Sequence, residues 1–214
     1  MLHLLLLAIV AAVPQEKLDR SKHPWAKWKI GAYTKYKIVQ QAGENKAEGT
    51  GTSTLTKVTD DEYVTTTKYD FGEQKIEEEE TETIPVKDGE ETLTVEGKKY
   101  ECTIWKSTST KGEKKTEYRV WATKKDARLL KVVGKGGSDL DITAAAMSES
   151  VEVAGKKYDC VRLEGSVKEE GRDGKAVFWM TEGIPGGLVK MEAKYAGEPE
   201  LTVQLEMTEF KAEK

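Results

Sequence analysis

The sequence predicts an all-β chain: an antiparallel meander of about 11–12 strands, curled into an open sheet or half-barrel, with a short N-terminal helix. Three observations carry this. Threonine occurs 22 times, and together with Val, Tyr and Trp it favours pleated, half-buried strands. Turn signals recur at short intervals, among them Glu96-Gly97, Lys111-Gly112-Glu113, Ala154-Gly155 and Gly171-Arg172-Asp173-Gly174. Alternation with period 2 is plain towards the C-terminus. Val189, Met191, Ala193 and Tyr195 share one face, against Leu188, Lys190, Glu192 and Lys194. Leu201, Val203, Leu205 and Met207 alternate with Thr202, Gln204, Glu206 and Thr208. A short turn, Ala196-Gly197-Glu198-Pro199, joins these runs into a hairpin.

The chain begins with Leu4–Ala12, nine apolar residues in a row. A membrane span needs about 20, so this run reads as the core of a signal peptide over residues 1–12. The chain is then expected to be exported, in the bacterial periplasm or outside the cell, with no transmembrane anchor. Residues 13–214 are read as a single β-domain. Gln15–Trp28 is the one stretch with a helical stripe, thinly marked by Leu18, Trp25 and Trp28. Residues 28–90 follow as N-terminal strands, expected at Tyr33–Gln41, Gly49–Thr59, Glu62–Phe71 and Gln74–Thr83.

Two repeat units complete the chain, at 91–148 and 149–210. Val95-Glu96-Gly97-Lys98-Lys99-Tyr100-Glu101-Cys102 returns as Val153-Ala154-Gly155-Lys156-Lys157-Tyr158-Asp159-Cys160, an offset of 58. Trp121-Ala122-Thr123 returns as Trp179-Met180-Thr181 at the same offset, and Leu129-Leu130-Lys131-Val132 as Leu188-Val189-Lys190-Met191 one residue later. Three blocks in one order mark a duplicated supersecondary unit of about four strands. Equivalent strands of such a meander stand about 19 Å apart in an open sheet, beyond the roughly 7 Å that a disulfide allows. Cys102 and Cys160 are therefore expected to be free, buried and reduced, although an exported chain could oxidise them.

The pattern V-x-G-K-x-Y-x-C, W-x-T and P-G-G-L-V-K-x-E, complete at Val153–Cys160, Trp179–Thr181 and Pro185–Glu192, resembles that of a family of uncharacterised exported bacterial β-proteins. The first copy carries Ala127-Arg128-Leu129-Leu130-Lys131 in place of the last block. In architecture the chain also resembles the half-barrels of Lol-type periplasmic lipoprotein carriers. That resemblance implies a concave sheet that holds acyl chains.

Composition narrows the chemistry. Lys plus Arg number 34 and Asp plus Glu 38, a net charge of −4, which excludes an electrostatic nucleic-acid binder. Outside the leader, His23 is the single histidine. It is expected on the surface, and no Ser-His-Asp or Cys-His arrangement can be built on it. One His and two distant Cys cannot form a usual zinc site. Glu77-Glu78-Glu79-Glu80 with Glu82 is read as a solvated edge strand rather than a calcium loop. No catalytic residue, metal site or cofactor is therefore assigned. The expected function is that of a non-enzymatic binding protein. It would hold a hydrophobic ligand or partner segment, lipid included, on the concave face. Candidate contacts are Trp121 and Trp179, at equivalent repeat positions, with Val189 and Met191. Leu201, Val203, Leu205 and Met207 complete the set. The alternative is a structural or interaction module of the cell envelope.

Overall fold

The computed structural model describes residues 15–137, 139–169 and 171–213; the expected signal peptide lies outside them. Among the described residues thirteen antiparallel strands form one sheet. They are β1 (Tyr33–Ala42), β2 (Asn45–Val58), β3 (Glu62–Phe71), β4 (Gln74–Thr83), β5 (Val86–Val95), β6 (Lys98–Lys111) and β7 (Lys114–Thr123). Then follow β8 (Leu129–Gly136), β9 (Asp139–Val153), β10 (Lys156–Glu169), β11 (Arg172–Met180), β12 (Leu188–Tyr195) and β13 (Leu201–Lys211).

Each strand pairs with its chain neighbour, apart from β4 and β5. The ring closes twice over: β13 pairs with β1 along ten residues, and β4 pairs with β6 through Glu80–Glu82 against Lys111–Ser109. The sheet is thus a closed barrel, not the open or half-closed one expected. Closure satisfies the edge groups that an open meander would leave bare. The barrel has twelve staves, because β4 and β5 share one. Both run antiparallel to the long β6, β4 against its C-terminal end and β5 against Lys98–Lys106. The break falls at Ile84-Pro85, where proline has no N–H to continue a ladder.

The duplication explains that break. Shifted by 58 residues, β5 and the end of β4 fall on β9, a single strand of 15 residues that pairs with β10 with two register shifts. The pair Glu82↔Ser109 maps onto Leu140↔Val167. The two copies also repeat their outer-face details. The Trp121 indole N–H donates to Glu91 at 2.6 Å and the Trp179 indole to Glu149 at 2.8 Å. Lys131 and Lys190 lie over these rings at 5.1 and 5.0 Å. In each copy the indole reaches across the strand that bears the cysteine, and Cys102 and Cys160 are 0% and 1% exposed. Both thiols are free. Burial, then the carboxylates of Asp159 and Glu149, push the Cys160 thiol up to about 11.

Each copy turns between its first two strands on a two-residue hairpin with both central residues at positive φ: Glu96 (49°) and Gly97 (75°), then Ala154 (48°) and Gly155 (71°). Alanine is strained there, since its Cβ crowds the backbone. Ala154→Asn is expected to raise the unfolding free energy by about 0.5–1 kcal/mol. Glu96→Asn should not, because the Glu96 carboxylate accepts from the Met147 amide at 3.2 Å. Denaturant midpoints of the two variants, moving in opposite directions, test this.

The stretch 15–28, expected to be helical, is not. A three-residue 3-10 turn, Arg20–Lys22, is its only helical piece, since Pro24 stands in the middle of the expected stripe and cannot continue a helix. The segment instead caps one end of the barrel. Glu16–Leu18 lie along the start of β5, with Leu18 N–H on the Pro85 carbonyl and Lys87 N–H on that of Glu16. Ala26, Trp28 and Ala32 pack with Leu55, Tyr63 and Ile84. His23, expected on the surface, is 3% exposed in this cap. Its Nδ1 accepts the amides of Trp25 and Ala26 at 3.1 and 3.0 Å, and its ring meets Tyr63 edge-on.

Candidate functional site: the barrel lumen

Twelve staves about 4.8 Å apart, tilted about 40°, enclose a backbone cylinder roughly 24 Å across. An eight-stranded barrel is just filled by its own side chains; this one encloses more than its lining fills. Register fixes which side chains point inward. Tyr36 on β1 is opposite Met207, Ile38 opposite Leu205, and Leu205 opposite Met191. Phe178 stands between Met191 and Leu163. Towards the far end Ala176, Ala193 and Tyr195 pack with Val167, Leu201 and Val203. The wall from β9 to β13 is therefore apolar. Several of its side chains, including Phe178, Met191, Val203 and Leu205, stay partly exposed although they face inward.

The opposite wall is polar, and the repeat shows the change residue by residue. Where the second copy has Gly165, Val167 and Ala176 facing inward, the first has Ser107, Ser109 and Tyr118. Glu78, Glu80 and Glu82 of β4 also point inward. Glu82 accepts from the Tyr63 hydroxyl and from Ser107 Oγ at 2.7 Å; Glu80 accepts from Ser109; Glu78 pairs with Lys111 at 2.6 Å. Burial holds the Glu82 carboxyl above its usual range, and burial with Glu80 and Glu82 nearby pushes Tyr118 up to about 12. The acidic run is thus no solvated edge. Its inward half clamps β4 to β6 at the seam where backbone pairing is shortest, while Glu77 faces outward to Lys68 at 3.3 Å.

Near the capped end the lumen holds a cavity of about 220 Å³, floored by Trp25 and Gly186 and walled by Tyr36, Ile38, Tyr69 and Leu205. Outside, the barrel carries cross-strand ion pairs such as Lys37–Glu48 and Lys106–Glu117, both 3.3 Å. Outward charge along the staves is the reverse of the apolar belt of a membrane barrel. Among the described residues no helix is long and apolar enough to cross a membrane.

Five of the eight residues singled out from sequence line this lumen: Met191, Leu201, Val203 and Leu205 by the β12–β13 register, and Met207 opposite Tyr36. Val189, at the register shift between β11 and β12, is fully buried in the same cluster as Tyr36, Ile38 and Met207. Trp121 and Trp179 do not line the lumen. They face outward, in register with Lys131 and Lys190, and cover the cysteines instead. The sequence signal for this was present, since Trp121 is in phase with Arg119 and Glu117. Phe178, Val167 and Leu140 were missed because their strands alternate less cleanly.

The fold and its lumen define a closed antiparallel β-barrel with one apolar and one polar inner wall. No family model matches the chain, and no curated protein matches it significantly.

Proposed function

We propose that this protein is a non-enzymatic binding barrel that holds an apolar ligand against the β9–β13 wall of its lumen. The observation that supports this is the partial exposure of Phe178, Met191, Val203 and Leu205 on a face turned away from the outer solvent. Apolar surface inside a water-accessible lumen gains about 25 cal/mol for each Å² that a ligand covers. The polar wall does no chemistry in this reading: its carboxylates are engaged by hydroxyls and Lys111 in closing the barrel.

Titration with N-phenyl-1-naphthylamine, a neutral fluorescent probe, tests the proposal. Saturable brightening is expected. It should weaken by about tenfold in Met191→Gln/Leu205→Gln and stay unchanged in the outer-face variant Gln204→Glu. Absence of saturable binding, or equal binding by all three proteins, would reject the lumen as a ligand site and leave a structural module of the cell envelope.

A further inference from the structure

The barrel wall also opens between β8 and β9. β8 pairs with β9 only through Lys131–Gly134 against Thr143–Leu140. Beyond Thr143, β9 runs on with β10 and leaves the end of β8 behind. A cleft of about 470 Å³ occupies the gap, between the β7–β8 loop, the β9–β10 hairpin, the β11–β12 loop and the N-terminal cap. Its floor is Leu129, Met147, Val161, Met180 and Ile184. Val161 is opposite Met180, and the next inward pair on the same two strands is Leu163 with Phe178. The cleft floor therefore continues into the apolar wall of the lumen.

The rim is charged. Lys22, Lys27, Arg128 and Lys157 stand there against Asp126, Asp159 and Glu182. Asp126 is taken up by the Thr123 hydroxyl and by Arg128 Nε at 3.3 Å, and Asp159 by Ser148 Oγ at 2.5 Å. The Lys27 ammonium donates to the Glu182 backbone carbonyl at 2.8 Å, which leaves the Glu182 charge unanswered by that contact. Among the described residues no ion pair within 4 Å engages Lys22 or Lys157. The charged side chains that line the cleft thus sum to plus one, and Lys22 and Lys157 are cations outside an ion pair, with Asp19 in Coulombic range of Lys22.

We propose that this cleft seats the carboxylate of a long-chain carboxylic acid, whose hydrocarbon chain runs over Met147, Met180 and Val161 into the lumen. The proposal rests on the lumen reading above and adds the ligand class and its orientation. The head group stays at the mouth for two reasons. Lys22 and Lys157 attract it there, and the inward carboxylates Glu80 and Glu82, bonded to neutral hydroxyls, repel an anion that moves deeper. A volume of this size suits one small amphiphile rather than a folded peptide.

Isothermal titration of the full chain at pH 8 with laurate and dodecyltrimethylammonium below their micelle concentrations, and with dodecanol below its solubility limit, separates the two claims. Laurate is expected to bind about tenfold tighter than dodecanol, and the cation weakest. Lys22→Glu/Lys157→Glu should erase the laurate margin and leave dodecanol unchanged. Met191→Gln/Leu205→Gln should weaken both, with circular dichroism confirming that the strands persist. Equal binding of the three compounds, or a laurate margin that survives the double lysine variant, overturns the carboxylate assignment and spares the lumen. No binding of laurate or dodecanol, or no effect of the lumen variant on either, overturns the lumen reading and this inference with it.

Discussion

Acidification from pH 7 to pH 4 is expected to remove about 3 kcal/mol of stability through His23 alone. The imidazole is buried in the cap, and that burial, helped by the Lys27 charge, holds it at about 4 against an ordinary 6.5. Only the neutral ring can serve here, since Nδ1 must accept the Trp25 and Ala26 amides. A folded-state value below the unfolded one means that the unfolded chain takes up the proton first. The stability that the neutral ring contributes is therefore complete above about pH 6.5. It drains as pH falls towards 4 and is gone below that. Two and a half pH units at about 1.4 kcal/mol each set the scale. Glu82 acts in the opposite sense, because its raised carboxyl makes the folded state the better proton binder. The His23 contribution must therefore be read as a difference. His23→Asn keeps an acceptor for the two amides and removes the titration. Denaturant unfolding of the two proteins at pH 7, 5.5 and 4 should show curves that converge or cross as pH falls. Parallel curves would mean that the ring does not titrate in this window.

His23 also shows why part of the fold was not legible. Its burial depends on Tyr63, forty residues away, and on a cap whose composition is polar. Local pattern could not report that. The same holds for closure, because β1 and β13 carry no mark in sequence that they will meet. Local features were read far better. Glu62–Phe71 and Gln74–Thr83 fall where turn chemistry and threonine content put them. The repeat was visible as text, and its alternation placed β12 and β13 with the correct inward face. The acidic run misled because charge suggests solvent. Register, not composition, turned Glu80 and Glu82 inward, and Ser107, Ser109 and Tyr63 made that tolerable by hydrogen-bonding each carboxylate. The tryptophans misled for a related reason. Large aromatics suggest a binding face, yet their phase matched the charged residues of β7, and the outward position is the one the strand period required.

Gly165→Ala is expected to destabilise the barrel by about 3 kcal/mol or more, although it adds one methyl group to a strand that reads as tolerant of one. Gly165 lies opposite Ile142 on β9 and Ala176 on β11. A Cβ placed on it would stand 2.0 Å from the Asp141 carbonyl oxygen and 2.8 Å from the Ile142 Cα. Both obstacles are backbone of the paired strand, so no rotamer change relieves them, and the β9–β10 ladder itself has to move. That ladder is the longest-running pair of the apolar wall, and its displacement would reach Leu163, which is fully buried. The need for glycine here is steric, a close approach where the sheet bends to close. In the first copy the equivalent position holds Ser107, which is accommodated and donates to Glu82. The constraint is thus a property of how the second copy coils, not of the duplicated unit. Gly183→Ala is the matched control: nothing lies within 4 Å of its added Cβ, and its midpoint should move by no more than about 0.5 kcal/mol. Thermal and denaturant unfolding of both variants decide the matter. A Gly165→Ala protein as stable as its parent would show that β9 and β10 lie farther apart at this point than the backbone contact requires. The wall that carries the proposed ligand surface would then be less tightly curved.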